Sequence, residues 1–236
     1  MGKLSPLTRN GGGFAISARI VEAYVGEYAS GKSEVAVNRA LEIARDGRKV
    51  NLIDLDIVEP CYTLRPIKKE LEESGLSVVA WETKDTIGLG EAGNIIKPES
   101  RWALYREGDV ILDIGYGVEG AKTLNLLEGV DQTPELQVYV VLNTKRPMTS
   151  TVQDIIDYIK ELGPVHGLIN NTHLGDETTA EVVQEGAQVI GEVSKILGIP
   201  VVATTADQEV AKKIGPVDGM GNFVRPLVRY MPRTFW

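Results

Sequence analysis

Apolar residues along this chain form short unbroken runs, which alternate with longer segments where they recur every three to four positions. The runs are typical of strands that are buried on both faces, and the spaced segments are typical of amphipathic helices. Strands are predicted at 20–25, 49–54, 76–81, 109–113, 136–142, 167–170 and 199–204. Helices are predicted from 33 to the stop at Gly47, and at 67–74, 99–106, 149–162, 178–197 and 207–214.

This alternation of strands and helices predicts an α/β fold, with a doubly wound, mainly parallel sheet that carries helices on both faces. No internal repeat or linker interrupts the pattern, so residues 1–236 are expected to form a single domain. A flexible lead-in is expected at 1–15, around a run of three glycines, and a C-terminal tail at 220–236.

Two helix starts carry capping signals, and the tail carries a mixed composition. Thr149, Ser150 and Thr151 can cap the helix at 149–162, and Thr178-x-x-Glu181 has the form of a capping box. The tail interleaves three arginines with aromatic side chains. Such a segment either docks a second chain or folds back onto its own domain, and both alternatives are open.

The turn between the first strand and the first helix carries the most specific motif of the chain. Its sequence has the form G-x-x-x-x-G-K-S, the pattern of a phosphate-binding loop, in the confirming context of strand, loop and helix. Glycines let successive N–H groups point at phosphate oxygens, and the helix N-terminus adds positive charge. The predicted nucleotide-binding residues are Gly26, Glu27, Tyr28, Ala29, Ser30, Gly31, Lys32 and Ser33.

Polar side chains follow several of the predicted strands, at the sheet edge where ligands of parallel sheets bind. Asp54 and Asp56 end the second strand, Asp113 ends a later one, and Asn143 and Asn171 follow two more. Single residues of this kind also serve as helix caps or turn residues. Beside a phosphate loop, a metal role is favoured, because Mg²⁺ needs one or two carboxylates and keeps several waters.

These residues are expected to bind different parts of the Mg²⁺-bound triphosphate. Lys32 reaches the outer phosphates, the Ser33 hydroxyl and Asp113 hold Mg²⁺, and the N–H of Gly115 or Gly117 senses the γ-phosphate.

Taken together, these motifs resemble those of the MinD/ParA/CobB-type P-loop ATPases, the superfamily of the nitrogenase iron protein. The similarity covers about residues 20–215. Besides the phosphate loop, it rests on Leu-Ile-Asp-Leu-Asp at 52–56, Asp-Ile-Gly-Tyr-Gly at 113–117, Asn-Thr-Lys-Arg-Pro at 143–147 and Gly-Leu-Ile-Asn-Asn at 167–171.

The resemblance implies Mg²⁺-dependent ATP hydrolysis and assigns roles to individual residues. Asp54 and Asp113 correspond to the metal-side aspartates, and Asp56 to the residue that positions the attacking water. With Lys32, Asp56 forms the predicted catalytic pair. Asn171 falls where the family reads the adenine amide edge, and an amide can both donate and accept there.

Two positions depart from the family pattern. Glu27 stands where many members carry a second lysine, which reaches across a dimer interface to the partner's nucleotide. A glutamate repels phosphate, so Glu27 argues against the lysine-bridged dimer, and a homodimer of another kind is left open as an alternative. Lys145 or Arg146 could replace the lysine, or could simply form a solvated loop. Residues 201–207 stand where the family has a proline-containing loop near the base.

Several functions fit these motifs. A nucleotide-driven switch would change its loops at 56–66 and 115–120 and engage a protein partner. A biosynthetic ATP-dependent enzyme, similar to dethiobiotin synthetase or the cobyrinate-amidating enzymes, would activate a carboxylate of a small-molecule substrate, with a pocket in 82–106. A non-catalytic nucleotide-binding module is a further alternative. A transferase similar to the tRNA isopentenyltransferases shares only the local loop sequence, and the later motifs argue against it.

Composition narrows the partners and the compartment. The 236 residues have a formal net charge of −8, which argues against nucleic acid as the main partner. The single cysteine, Cys61, allows no internal disulfide. No apolar run reaches the length of a membrane span, and Met1 to Gly13 has no signal-peptide core. We therefore expect a cytoplasmic protein.

Overall fold

The computed structural model describes residues 18–56, 64–80 and 97–231. Eight strands in these ranges form one sheet in the order β3-β2-β4-β1-β5-β6-β7-β8, and every neighbouring pair is parallel. The strands are β1 Val21–Gly26, β2 Val50–Leu55, β3 Ser77–Val79, β4 Asp109–Ile114, β5 Leu136–Leu142, β6 Gly167–Asn170, β7 Val201–Asp207 and β8 Val224–Leu227.

Seven α-helices connect these strands within the described ranges. They are α1 Lys32–Arg45, α2 Lys68–Glu73, α3 Pro98–Arg101, α4 Gly117–Ala121, α5 Val152–Leu162, α6 Ala180–Leu197 and α7 Gln208–Ile214. Short 3-10 turns lie at Arg65–Ile67, Ala103–Tyr105, Lys122–Leu126, Val130–Gln132, Pro147–Thr149 and Gly175–Glu177. None of these helices is long and apolar enough to cross a membrane.

The sheet is covered on both faces, as the sequence pattern predicts. Successive residues of β4 belong to different cores: Val110 and Leu112 pack with α5 and α6, whereas Ile111 packs with α1 and α2. Because side chains of a strand alternate between faces, a strand buried in two cores must be apolar without interruption. The prediction of a doubly wound, parallel α/β fold is confirmed.

The strand order places β1 near the centre of the sheet. β1 lies between β4 and β5, and the chain builds outward in opposite directions on the two sides of it. The loop after β1 therefore lies at the point where the order reverses, which is where open α/β sheets bind their ligands.

Three local predictions need correction. The Thr178 capping box does not form, because α6 begins one residue later, with the Thr179 side chain accepting from the Val182 N–H. Thr178 instead closes the preceding turn, where it accepts from the Leu174 N–H and donates to the Gly175 carbonyl. At α5 the cap is Thr151, so the helix starts at residue 152 rather than 149. β7 extends to residue 207 instead of ending at 204.

The described part of the C-terminal tail folds back onto the domain. Residues 224–227 form the edge strand β8, which the sequence analysis did not predict. Beyond it, the Asn38 amide pairs with both backbone groups of Val228, and Glu34 accepts the N–H of Tyr230. These contacts attach the segment to α1, because Asn38 and Glu34 share one face of that helix. Arg233 and the last two aromatic residues lie outside the described residues.

Two further predicted features fall partly outside the described ranges. In the segment 82–106, proposed above as a substrate pocket, only 97–106 are described, and they form α3 and a 3-10 turn. In the first switch segment, 56–66, residues 57–63 are outside the description, and so is Cys61.

Candidate nucleotide-binding site

The phosphate loop, residues 26–33, connects β1 to α1 as predicted. Gly31 has a φ of 82° and Ala29 a φ of 56°, so the backbone reverses its curvature twice within the loop. The Ser30 N–H donates to the Glu27 carbonyl at 3.1 Å and closes the turn. No side chain caps α1 at Gly31, as is also true of α2, α3 and α4, whereas α5, α6 and α7 have side-chain caps. The first N–H groups of α1 are therefore available to an anion.

The carbonyl groups on the back of this loop are bound by side chains from β5 and β6. Asn171 Nδ2 donates to the Ser30 carbonyl at 2.7 Å. The Ala29 carbonyl accepts from Asn143 Nδ2 at 3.5 Å and from Arg146 Nε at 3.4 Å. Both asparagines were predicted at this edge, but the sequence did not show that they contact the phosphate loop itself.

Lys32 and Asp56 form an ion pair on the front of the loop. Lys32 Nζ lies 3.4 Å from Asp56 Oδ2, and both residues are buried, with 8% and 7% of their surface exposed. Asp54, two residues earlier, accepts the N–H of Asp56 at 3.0 Å and of Leu64 at 3.1 Å. Asp54 thus holds the backbone that presents Asp56, and its predicted metal role stays a prediction.

Asp113 is the least satisfied acidic group of the site. It is 1% exposed, and neither carboxylate oxygen has a hydrogen-bond partner among the described residues. Burial raises the pKa of Asp113, and the nearby Lys32 ammonium and Ser33 hydroxyl oppose that rise. Ser33 acts here through its proximity, without a hydrogen bond of ordinary geometry. Burial and the Asp113 charge likewise raise the pKa of Asp54.

These observations fit a divalent cation that is held by few protein ligands. Within the described ranges, no three His, Cys, Asp or Glu side chains come together to bind a metal alone. Mg²⁺ does not require such a cage, because phosphate oxygens and water complete its shell. The unpartnered Asp113 oxygens beside Ser33 are the acceptors that such an ion needs.

Glu27 and Tyr28 of the phosphate loop face the loop that follows β4. The Tyr28 and Tyr116 rings meet edge to face, with centroids 5.7 Å apart, and Tyr28 is 47% exposed. The Glu27 carboxylate lies beside Gly117, and burial raises its pKa. Of the two glycines predicted to sense the γ-phosphate, Gly117 therefore lies next to the phosphate loop.

Two residues near the site were not predicted from the sequence. His173 lies half-buried against the phosphate loop, where loss of hydration and the charges of Arg146 and Arg229 lower its pKa to about 4. Gly120 packs on the loop after β4: a Cβ there would lie 2.1 Å from the Gly115 carbonyl oxygen. A lone histidine and a helix glycine do not identify themselves in a sequence, because their neighbours are distant in the chain.

Comparison with known proteins supports the fold. No family model matches the chain, and no curated protein sequence matches it. Among solved structures, the cell division protein FtsY from Thermotoga maritima matches with a TM-score of 0.55 and 17% identity, over 81% of this chain and 63% of that one. The signal recognition particle receptor FtsY from Elizabethkingia anophelis, in complex with GDP, matches with a TM-score of 0.52 and 18% identity, over 88% and 61%.

A nucleotide-binding protein from Archaeoglobus fulgidus in complex with ADP matches with a TM-score of 0.50 and 19% identity, over 82% of this chain and 84% of that chain. The chain spans only about three fifths of the length of the FtsY structures. Identities this low establish fold and not activity. The likeness shows that this chain has the α/β fold of the P-loop NTPases.

Proposed function

We propose that this protein binds ATP with Mg²⁺, hydrolyses it, and acts as a nucleotide-driven switch on a protein partner. The observation that carries the proposal is the set of unsatisfied groups at the mouth of the phosphate loop. The first turn of α1 has no side-chain cap, and the Asp113 oxygens have no hydrogen-bond partner in the described ranges. Buried polar groups are normally paired, and an exception of this kind points to a ligand.

Binding and positioning follow from the chain's own residues. The loop N–H groups and the helix N-terminus take the phosphate oxygens. The phosphates compete with Asp56 for the Lys32 ammonium, because both are anions within its reach. Asp56 then accepts a hydrogen bond from the attacking water and orients it, while Asp54 keeps the Asp56 backbone in place.

Ser33 and Asp113 are the residues that would hold Mg²⁺, with Asp54 close by. Bound there, Mg²⁺ would neutralise negative charge on the phosphate oxygens. The choice of ATP rests on the motif resemblance described above. The solved structures with this fold include complexes with ADP and with GDP, so the preference of this protein for adenine or guanine has to be measured.

The switch part of the proposal is supported by the contact between two loops. Tyr28 lies in the phosphate loop and Tyr116 in the loop after β4, and their rings touch across the mouth of the site. A change at the phosphates can therefore alter the position of residues 115–120. Tyr28 is an exposed large side chain at this mouth, which gives a partner a surface to contact.

The proposal is tested by calorimetric titration with Mg·ATP and Mg·GTP and by measurement of phosphate release. Lys32→Ala removes the cation that meets the outer phosphates, so affinity should fall about 100-fold. Asp56→Asn should retain binding and lose most of the hydrolysis. Lys195→Ala is the matched control, since it removes an exposed lysine in the last turn of α6.

Two results would contradict the proposal. Wild-type protein that binds neither nucleotide in the presence of Mg²⁺ removes its basis. Unchanged hydrolysis in Asp56→Asn would show that Asp56 does not position the water.

A further inference from the structure

We infer that Asn171 is a positioning residue of the phosphate loop and does not select the base of the nucleotide. The inference rests on the proposed function, because it concerns the same site. It departs from the role that the motif resemblance implies, and it is carried by contacts of the described residues.

The first step concerns the orientation of the Asn171 amide. Its nitrogen donates to the Ser30 carbonyl at 2.7 Å, and its oxygen accepts from the Thr205 hydroxyl at 2.7 Å. A carbonyl can only accept, so the amide nitrogen must face Ser30. Both ends of the amide are therefore engaged, and Asn171 is only 5% exposed. The amide keeps one further N–H and one further lone pair, but little of its surface is open to a base because Asn171 is buried.

The second step concerns what the Ser30 carbonyl does for the loop. A loop that turns successive N–H groups toward an anion must turn carbonyl groups away from it. The carbonyls of Ala29 and Ser30 point to the back, and both receive side-chain donors there. The contacts of Asn143 and Arg146 to Ala29 are 3.4 Å or longer, whereas the contact of Asn171 to Ser30 is 2.7 Å. Asn171 is thus the strongest of these restraints.

The third step concerns the close fit between Asn171 and Gly31. A Cβ at Gly31 would lie 2.2 Å from Asn171 Nδ2. Two separate reasons therefore require glycine at position 31: its φ of 82°, and the close approach of the Asn171 amide, which leaves no room for a side chain. Asn171 occupies the space behind the loop and keeps it in the curved form before any phosphate binds. Such preorganisation increases affinity for the phosphates and is independent of the base.

The experiment separates the two roles with a ligand that has no base. Dissociation constants are measured calorimetrically for Mg·ATP, Mg·GTP and Mg·tripolyphosphate, with wild-type protein and with Asn171→Ala. We expect the variant to lose about tenfold in affinity for all three ligands, by the same factor within error. Gln184→Ala is the matched control, because its amide oxygen accepts the Gly219 N–H away from the phosphate loop.

A loss for one nucleotide with unchanged tripolyphosphate binding would make Asn171 a base reader and overturn the inference. Unchanged affinity for all three ligands would overturn it as well. Wild-type protein that binds none of the three would instead overturn the proposed function, so the two failures are distinguishable.

If circular dichroism shows that Asn171→Ala does not fold, a second, milder variant still tests the inference. Thr205→Val keeps the shape of the side chain and removes the hydroxyl that fixes the Asn171 oxygen. We expect a parallel loss of about threefold for the three ligands, the effect of a partly weakened hydrogen bond. Selective loss for ATP or GTP in this variant would overturn the inference in the same way.

Discussion

The carboxyl edge of the sheet has two halves that differ in how their buried polar groups are satisfied. The carboxylate half, at the ends of β2 and β4, consists of Asp54, Asp56 and Asp113. The amide half, at the ends of β5 and β6 and beside them on β7, consists of Asn143, Thr144, Asn170, Asn171, Thr172, Thr204 and Thr205. Every side chain of the amide half has a hydrogen-bond partner, whereas the Asp113 oxygens have none among the described residues.

This difference separates the scaffold from the ligand site. A fully satisfied buried network is rigid, and the amide half uses its rigidity to hold the back of the phosphate loop. An unsatisfied buried carboxylate costs stability, and it is retained where a ligand supplies the missing partner. The phosphate loop lies between the halves, with its carbonyls toward one and its lysine toward the other.

The comparison predicts the largest effect for Asn170→Ala in the amide half. The Asn170 amide donates to the Val183 carbonyl and the Thr204 hydroxyl, and it accepts from the Thr172 N–H. The substitution removes three hydrogen bonds and leaves the buried Thr172 N–H without this partner, so the free energy of unfolding should fall by about 3 kcal/mol. Urea unfolding measures this loss.

Gln153→Ala is the control for this substitution, since its amide contacts only Asp157 on the exposed face of α5. We expect a change within about 0.5 kcal/mol for it. A loss below about 1 kcal/mol for Asn170→Ala would show that the amide half is not a scaffold.

A smaller effect of opposite sign is expected for Asp113→Asn in the carboxylate half. Without nucleotide and Mg²⁺, the substitution removes a buried charge that has no hydrogen-bond partner in the described ranges and that Lys32 offsets only in part, so the free energy of unfolding should rise by about 1 to 2 kcal/mol. Adding Mg·ATP should stabilise the wild-type protein more than the variant. Thermal unfolding with and without ligand measures both effects.

Asp131→Asn removes one charge from an exposed 3-10 turn and serves as the matched control. If Asp113→Asn destabilises the ligand-free protein, Asp113 has a structural role, and the contrast between the two halves does not hold.

The smallest effect concerns the pH dependence of stability at His173, which lies next to the amide half. His173 has a folded-state pKa of about 4, lowered by burial and by Arg146 and Arg229, against about 6.5 in the unfolded chain. The unfolded state therefore binds one more proton between these values, so stability falls as the pH falls through this window. His173 alone should remove about 1 kcal/mol between pH 6.5 and 5.5.

His173→Gln should flatten this part of the stability curve, and His166→Gln should leave it in place, since His166 lies at the opposite end of β6. Urea unfolding at several pH values gives the curve. Identical pH slopes for His173→Gln and the wild type would show that His173 is hydrated, and that the amide half is wetter than its hydrogen bonds indicate.

The sequence by itself determined the sheet, the phosphate loop and the carboxylates that follow two strands. These features are local: an unbroken apolar run, a glycine motif between strand and helix, or an aspartate at a strand end each fits within a few residues. β8 was missed because Val224–Leu227 is a short edge strand whose polar and proline positions break the apolar run. The Thr178 capping box was wrong because the neighbouring Thr179 offers an equally good cap.

Only the tertiary structure decided what each polar group touches. Asn171 and Ser30 are 141 positions apart in the chain, and the strand order alone brings them within 2.7 Å. The same holds for Gly186, where a Cβ would lie 2.1 Å from the Thr172 hydroxyl, so that α6 can approach β6. A sequence pattern shows which residues reach the carboxyl edge. The packing of helices and strands decides which of them are already paired there and which still need a ligand.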